Sequence, residues 1–558
     1  MRTAHALLLV AMFALPSATS AFPGDVVHEL QAPGRTCTGL AYDGERIWVA
    51  DHGSDALIAI DASSGKLAGE LKSPGYRPAG LAFDGEQLWN VDVAQARLFR
   101  LRTEDGLITR SIPAPVETPR ALAWDGGALW VSDDTGRSVH QVDPIDGTTM
   151  REVSFPGQSV DGLAHDGRYL WIADRLEDKL FALHPESGEV VVTLRSPGPH
   201  PTGLDVFGEG LINVDYQSDR IYILRRYDRE HVVRREPRDA WVIFTHQLRN
   251  FGPDPLVDYD TFLAVPKNLT SQTLLSAPQY NRDPTALLLD RWGQRVAHFH
   301  GEYLTGGKTG TVEMKVRLRA WDVRWVIYPE KVQPLKFTPR EVRASYLADA
   351  PKYDINSPTI KRAVREAIGD EKNPYWIARK LYRYVHDAMR YRRVGGWDIA
   401  PKVLERGTGS CSEYSFVYIA LCRAAGLPAR YVGALVVRKD DASYDDVYHR
   451  WVEVYLPPYG WVPVDPSRGD KATEAERADA FGHLAHDFLV TTHGGGESEH
   501  LGWSYNADSR YTCKGRCRVE REGIAEWSPE DPDLPDDLRR FPTARSPVNA
   551  PAAAGPRP

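Results

Sequence analysis

The sequence predicts a multidomain chain: an all-β propeller of five blades, then a small β-sandwich, then an α+β domain. Three observations predict it. The first half repeats every 41 residues without an insertion, the middle holds strand-like runs with no period, and helix signals begin only at Ser357. The segments read as 1–21, a secretory signal peptide; 22–236, the propeller; 237–340, the sandwich; 341–500, the α+β domain; 501–527, a C-terminal extension; and 528–558, a disordered proline-rich tail. At 558 residues more than one core is expected. Hydrophobic residues at 42% and charged residues at 26% exclude a mostly disordered chain, and a net charge of -8 argues against a general nucleic-acid binder.

Arg2, the apolar run Ala6 to Leu15, Pro16 and small residues through Ala21 have the pattern of a secretory signal peptide. The run is shorter than the roughly 20 residues that span a bilayer, so a periplasmic or extracellular protein without a membrane span is expected.

The repeat aligns Gly39, Gly80, Ala121, Gly162 and Gly203. Each copy carries a turn glycine, then an anchor (Trp48, Trp89, Trp130, Trp171, Ile212), then an aspartate (Asp51, Asp92, Asp133, Asp174, Asp215). Four short strands per period of about 40 residues are the mark of a propeller. Val26 to Leu30 resembles the fourth strand of the later copies and is expected to join the fifth sheet and close the ring. Tryptophans at one fixed position are read as core packing between blades, and the aspartates as strand-end turn formers, in preference to a ligand platform or metal ligands. Cys37 stands where other copies have Pro78, Pro119 and Pro201, which suggests a buried structural thiol. The copies resemble the NHL-like short propeller repeats of exported bacterial proteins, a resemblance that assigns no activity.

From Trp241 to Tyr328, runs at Trp241 to Phe244, Thr261 to Val265, Ala286 to Leu289, Val312 to Val316 and Val323 to Ile327 predict the sandwich. No chemical constellation is evident among them. Ser357 caps a helix from Pro358 to Gly369, and a second helix follows from about Pro374 to Met389. Ser410 and Glu413 stand in capping-box spacing, which puts Cys411 in the first turn of a helix running to Ala425. There the free N–H groups and the helix dipole favour a thiolate and can hold an oxyanion. A disulfide from Cys411 to Cys422 fails on distance, because eleven helical residues span about 16 Å. Cys422 is read as core, and Cys513 with Cys517 as a possible bridge.

Tyr448 to Tyr455 reads as a strand, Pro457 to Gly460 as a turn, and Gly460 to Asp465 as the returning strand. A turn centred near Pro458 sets Asp465 opposite Trp451 and diagonal to His449, on one face. An imidazole oriented by a carboxylate is what a cysteine nucleophile needs as its proton acceptor and donor.

Around these three residues the sequence resembles the transglutaminase-like superfamily. The resemblance rests on the glycine-rich approach to Cys411, Leu421 to Arg430 (Leu-Cys-Arg-Ala-Ala-Gly-Leu-Pro-Ala-Arg), His449-Arg-Trp-Val-Glu453, and Gly460-Trp-Val-Pro-Val-Asp-Pro466. It covers about residues 341 to 500 and implies a papain-like α+β fold with a catalytic triad of Cys411, His449 and Asp465. Trp397, only 14 residues before Cys411, is not given the oxyanion role that a tryptophan well upstream has in animal-type members. The superfamily includes cross-linkers, peptidases, amidases and inactive members. The expected activity is therefore cleavage or transfer at peptide or amide bonds through a thioester, with hydrolysis favoured, and protein-glutamine transamidation or an idle scaffold as alternatives. The expected substrate is a protein or peptide, with the propeller docking a protein or cell-envelope ligand. No cofactor or metal is expected, no EF-hand loop being present, and no nucleic-acid partner. Asp440, Asp441, Asp445 and Asp446 are read as a solvated loop in preference to a cation-attracting one.

Overall fold

The structure, a computed structural model, describes residues 22–534 apart from 156, 228–229, 394–396, 437–442 and 469–473. The signal-peptide segment, Asp440, Asp441 and the tail after 534 lie outside the described residues. Among the described residues, no helix is long and apolar enough to cross a membrane.

The repeat region forms five four-stranded antiparallel sheets, an arrangement that fits a β-propeller. Four sheets use consecutive strands. The fifth takes Val26–Gln31 from the N-terminus and pairs it with Arg220–Arg225, as expected. The residue that recurs every 41 positions explains the strict register. A Cβ on Gly39 would lie 2.0 Å from the carbonyl oxygen of Ala79, on Gly80 2.6 Å from Cα of Ala121, on Gly162 1.9 Å from the oxygen of Thr202, and on Gly203 2.7 Å from the backbone of Gly39. Successive copies therefore meet at bare backbone, and the last meets the first. At the step that starts from Ala121, the ion pair of Arg120 with Asp161 at 2.9 Å joins the copies instead.

Trp48, Trp89, Trp130 and Trp171 are buried, as core packing requires. Each indole N–H also donates to an aspartate five residues earlier, Asp43, Asp84, Asp125 and Asp166, at 2.8 to 2.9 Å. That carboxylate holds the glycine turn as well, so one side chain ties turn to core; Asp43, for example, accepts the Arg46 N–H at 2.7 Å. The strand-end aspartates hold the turns that follow them, Asp92 accepting the Gln95 N–H at 2.8 Å and Asp174 the Leu176 N–H at 2.9 Å, and Asp51 also reaches back to the Thr36 N–H at 3.0 Å. Cys37 is buried, and burial pushes its thiol up to about 12.

The sandwich begins at β1 (Val232–Asn250), inside the segment assigned to the propeller, and continues with β2 (Leu256–Ala264), β3 (Arg295–Gly301) and β4 (Thr309–Trp325). The runs at Val312 and Val323 are a single strand, and β3 was not foreseen because its two histidines interrupt the apolar pattern. Short 3-10 turns at Pro329–Lys331 and Leu335–Phe337 then lead to the helices. The longest of these are α1 (Pro358–Ile368), α2 (Pro374–Ala388) and α3 (Cys411–Ala424), followed by the strands β5 (Ala429–Val436), β6 (His449–Leu456), β7 (Gly460–Val464) and β8 (Phe488–Gly494). The last four form one antiparallel sheet in the order β7-β6-β5-β8, against which α3 packs.

The C-terminal segment corrects the sequence reading. It is no separate extension: β9 (Ala507–Cys513) pairs with β2, and β10 (Val519–Ser528) pairs with β1 from Trp241↔Ser528 to Asn250↔Val519. The α+β domain is thus inserted between strands of the sandwich, and Cys513 and Cys517 form a disulfide in the connection from β9 to β10. Ser528, assigned to the tail, is a sheet residue, and Asp531 beyond it pairs with Lys315 at 2.8 Å.

The repeat region is not isolated. Trp171 and Leu180 share an apolar core with Tyr328, Tyr375 and Phe481, and Tyr169 donates to Glu330 at 2.6 Å. If the bare-backbone contacts close the ring, Gly162→Ala will cost about 1–3 kcal/mol and lower Tm. Gly69→Ala, whose Cβ would meet only that of Ala59 at 3.9 Å, will leave Tm unchanged or raise it; thermal melts of both variants check this.

Candidate active site

Cys411 opens α3 at a helix start that the sequence builds with care. Glu413, 1% exposed, accepts the Ser410 N–H at 3.0 Å and the Arg406 guanidinium at 2.7 Å, so the residue before the thiol is held from inside the helix. Gly409 lies against Glu413, its place for a Cβ being 2.9 Å from that of Glu413. Ser415 donates to the Cys411 carbonyl at 2.8 Å and reaches the Arg450 carbonyl on β6 at 3.4 Å, which fixes helix to strand.

The hairpin of β6 and β7 supplies the other two residues. Val452 pairs with Val464, so Asp465 follows opposite Trp451, the register expected from a turn at Pro458. Nε2 of His449 meets Oδ2 of Asp465 at 2.6 Å. The other carboxylate oxygen accepts the Ser467 N–H at 3.0 Å, the Ser467 hydroxyl at 2.8 Å and the Arg468 N–H at 3.0 Å. Asp465 is thereby locked, and His449 leaves Nδ1 for the thiol of Cys411, with which it is hydrogen-bonded. The structure brings all three sequence-predicted residues together.

The electrostatics follow from this packing. Burial would raise the Cys411 thiol, but the hydrogen bond and charge of His449, then the N–H and charge of Arg450, hold it below the ordinary thiol range. Burial would lower His449, yet the charge and hydrogen bond of Asp465 raise it well above an ordinary imidazole. Burial would likewise raise Asp465, and His449 keeps it low. Each group thus favours the charged form of the next, thiolate beside imidazolium beside carboxylate.

A cleft of about 680 Å³ opens over the three residues, lined also by Tyr391, Tyr448, Arg468, Asp487 and Phe488. Phe488 stacks on the His449 ring at 5.8 Å, and the Tyr391 hydroxyl accepts the backbone N–H of Cys411. Asp479 on the cleft wall pairs with Lys179 of the repeat region at 3.3 Å. Asp445, read as part of a solvated loop, is buried instead: it accepts the Val436 and Val447 N–H groups at 3.0 Å each, and its strand extends the sheet at β10.

Arg450 was missed. It is fully buried beside Cys411, its guanidinium 5.1 Å from the Trp397 ring, 5.1 Å from Phe416, 4.6 Å from Tyr431 and 4.4 Å from Tyr505. It donates to the Trp503 carbonyl. A signal was present, since strand alternation points Arg450 to the face opposite His449, where an apolar residue would be expected. Trp397 belongs to this cage. Arg423 and Arg430, within the shared motif, are scaffold: Arg423 donates to the Ala429 carbonyl at 2.7 Å, and Arg430 pairs with Glu453 at 2.7 Å.

Residues 361–466 match the model of the transglutaminase-like superfamily, a stretch that contains Cys411, His449 and Asp465. An uncharacterized protein of Haemophilus influenzae is 28% identical over 38% of this chain and 69% of its own length. A protein-glutamine gamma-glutamyltransferase of Pseudomonas aeruginosa is 29% identical over 16% of this chain, which spans 15% of that relative. Among solved structures, a candidate cysteine protease of Cytophaga hutchinsonii superposes with a TM-score of 0.39 at 12% identity, covering 53% of this chain and 99% of that one.

Iodoacetamide at pH 7 will alkylate Cys411 before Cys37 and Cys422, whose thiols burial raises; peptide mapping of the folded protein checks the order. The raised His449 contributes stability that is complete below the ordinary imidazole range and is lost as pH rises through its raised value. The lowered Asp465 contributes stability that is present above the ordinary carboxylate range and is lost in acid. Asp465→Asn will therefore cost most near neutral pH, about 3–5 kcal/mol for breaking a buried pair, and least at both extremes. Urea melts across pH measure the window.

Proposed function

We propose that the transglutaminase-like domain at residues 361–466 is a cysteine enzyme acting on amide bonds of a protein or peptide, with water as the acyl acceptor. The assembled Cys411–His449–Asp465 row under an open cleft is the observation that carries this reading. The Cys411 thiolate attacks the carbonyl carbon, and the oxyanion takes the Cys411 N–H in place of the Tyr391 hydroxyl. His449, held by Asp465, gives its Nδ1 proton to the departing amine, leaving a thioester. Neutral His449 then takes a proton from water, whose oxygen attacks the thioester; the acid leaves and the thiolate returns.

Hydrolysis is favoured because two acidic groups near the cleft that could have received an amine are committed elsewhere. Asp445 is spent on backbone N–H groups, and Asp479 on Lys179 and Arg324. An amine acceptor outcompetes water only where a pocket binds it. The activity for which the Pseudomonas aeruginosa relative is named favours transamidation as the second reading. The five sheets are read as a five-bladed propeller, supported by the contact that returns from Gly203 to Gly39, and as a docking module for a protein or cell-envelope ligand. Its tie to the cleft wall through Lys179 and Asp479 would hold a docked chain in fixed relation to Cys411. The N-terminal pattern supports export to the periplasm or beyond.

Glutamine-containing peptides offered with an excess of labelled primary amine, followed by mass spectrometry, test the reading. Hydrolysed products will outnumber amine adducts, and Cys411→Ala will lose about a thousandfold or more of the rate. Adducts in the majority would establish transamidation, and turnover unaffected by Cys411→Ala or His449→Ala would leave an idle scaffold.

A further inference from the structure

The second sheet of the sandwich carries on its outer face a group of residues unrelated to the cleft. Along β2, Asp258 and Asp260 alternate onto one face, as do His298 and His300 along β3. The register sets Asp260 directly opposite His300 and Phe262 opposite His298. Nδ1 of His300 lies 3.2 Å from Oδ1 of Asp260 and 3.4 Å from Oδ1 of Asp258, and the ligand atoms of the three residues are all within 4.8 Å of one another. Bonds of 2.0–2.1 Å to a tetrahedral ion imply edges of about 3.4 Å between ligand atoms. Two of the three edges already have that length.

From this geometry we infer that Asp258, Asp260 and His300 bind a divalent ion of the zinc class, with His298 positioning Asp260. Nε2 of His298 meets Oδ1 of Asp260 at 2.6 Å, and the His298 ring stacks on Phe262 at 4.8 Å with planes 13° apart. This is the second layer that metal-binding carboxylates need. Imidazole among the donors selects zinc-like ions over calcium, whose sites are built from oxygen. The side chains of Asp258 and Asp260 are 50% and 30% exposed, so solvent can supply the remaining ligand. Arg510 stands opposite Asp260 on β9, but its guanidinium turns to the His500 carbonyl at 3.3 Å and lies 5.1 Å over the Phe262 ring. The two carboxylates are thus left to the histidines and to an ion, which would pin β2 to β3.

The test uses the full chain carrying Cys411→Ala, because a thiolate beside an imidazole would itself capture zinc. Calorimetry with Zn2+ will give one site per chain, absent in His300→Ala and in the near-isosteric Asp258→Asn. His298→Ala will weaken it about 10–100-fold. Co2+ will produce visible absorption that Zn2+ displaces. Failure of the Cys411→Ala chain to bind Zn2+ saturably, unchanged affinity in a folded Asp258→Asn or His300→Ala chain, or Ca2+ binding as tight as Zn2+ would each overturn the site. None of these outcomes depends on the triad being active.

Discussion

The antiparallel pairing of β1 with β10 is the constraint on which the rest of the molecule depends. It joins residues 241–250 to residues 519–528, with the whole α+β domain held in the interval. Such a contact carries a large loop-closure entropy, which the buried faces of both sheets must offset. It determines where the chain lies on the way back. The return segment places Trp503 and Tyr505 against Arg450, and β10 takes up the strand Ser443–Asp445 just ahead of His449. The sandwich therefore reaches the reacting groups from two directions, although it contributes none of them.

Arg450 shows how a charge is kept in such a place. A buried guanidinium with few hydrogen bonds would be costly, but four ring faces and the Trp503 carbonyl replace part of its hydration. Its positive charge then favours the neighbouring thiolate, in the same direction as His449. Asp465 offsets the imidazolium on the other side. The row of charges is stable because each member is solvated by the next and by backbone N–H groups.

Local features of this architecture were legible in the sequence, and features made by distant pairing were not. The 41-residue period, the cap at Ser357, the helix start at Cys411 and the approach of Asp465 to His449 all arise within short stretches whose geometry a turn or a helix fixes. The tryptophan–aspartate bonds were also within reach, since only five residues separate the partners. The cage of Arg450 draws on positions 397, 416, 431 and 505, and the placement of β9 and β10 requires knowing which edge of the sandwich stays open. No local pattern encodes either. Asp258 and His300 escaped notice for the same reason, because their meeting depends on a register between strands about forty residues apart.

The insertion of one domain into another also orders events in time. Chains are made from the N-terminus, and segments fold as they emerge. Cys411, His449 and Asp465 are all synthesised before Trp503, Tyr505 and β10, so a growing chain possesses the thiol well before it possesses the wall behind Arg450. A chain stalled or clipped short of residue 519 holds every group of the triad and lacks the partner strand of β1. The surroundings of Cys411 in this protein are accordingly completed last, by segments made after the triad itself.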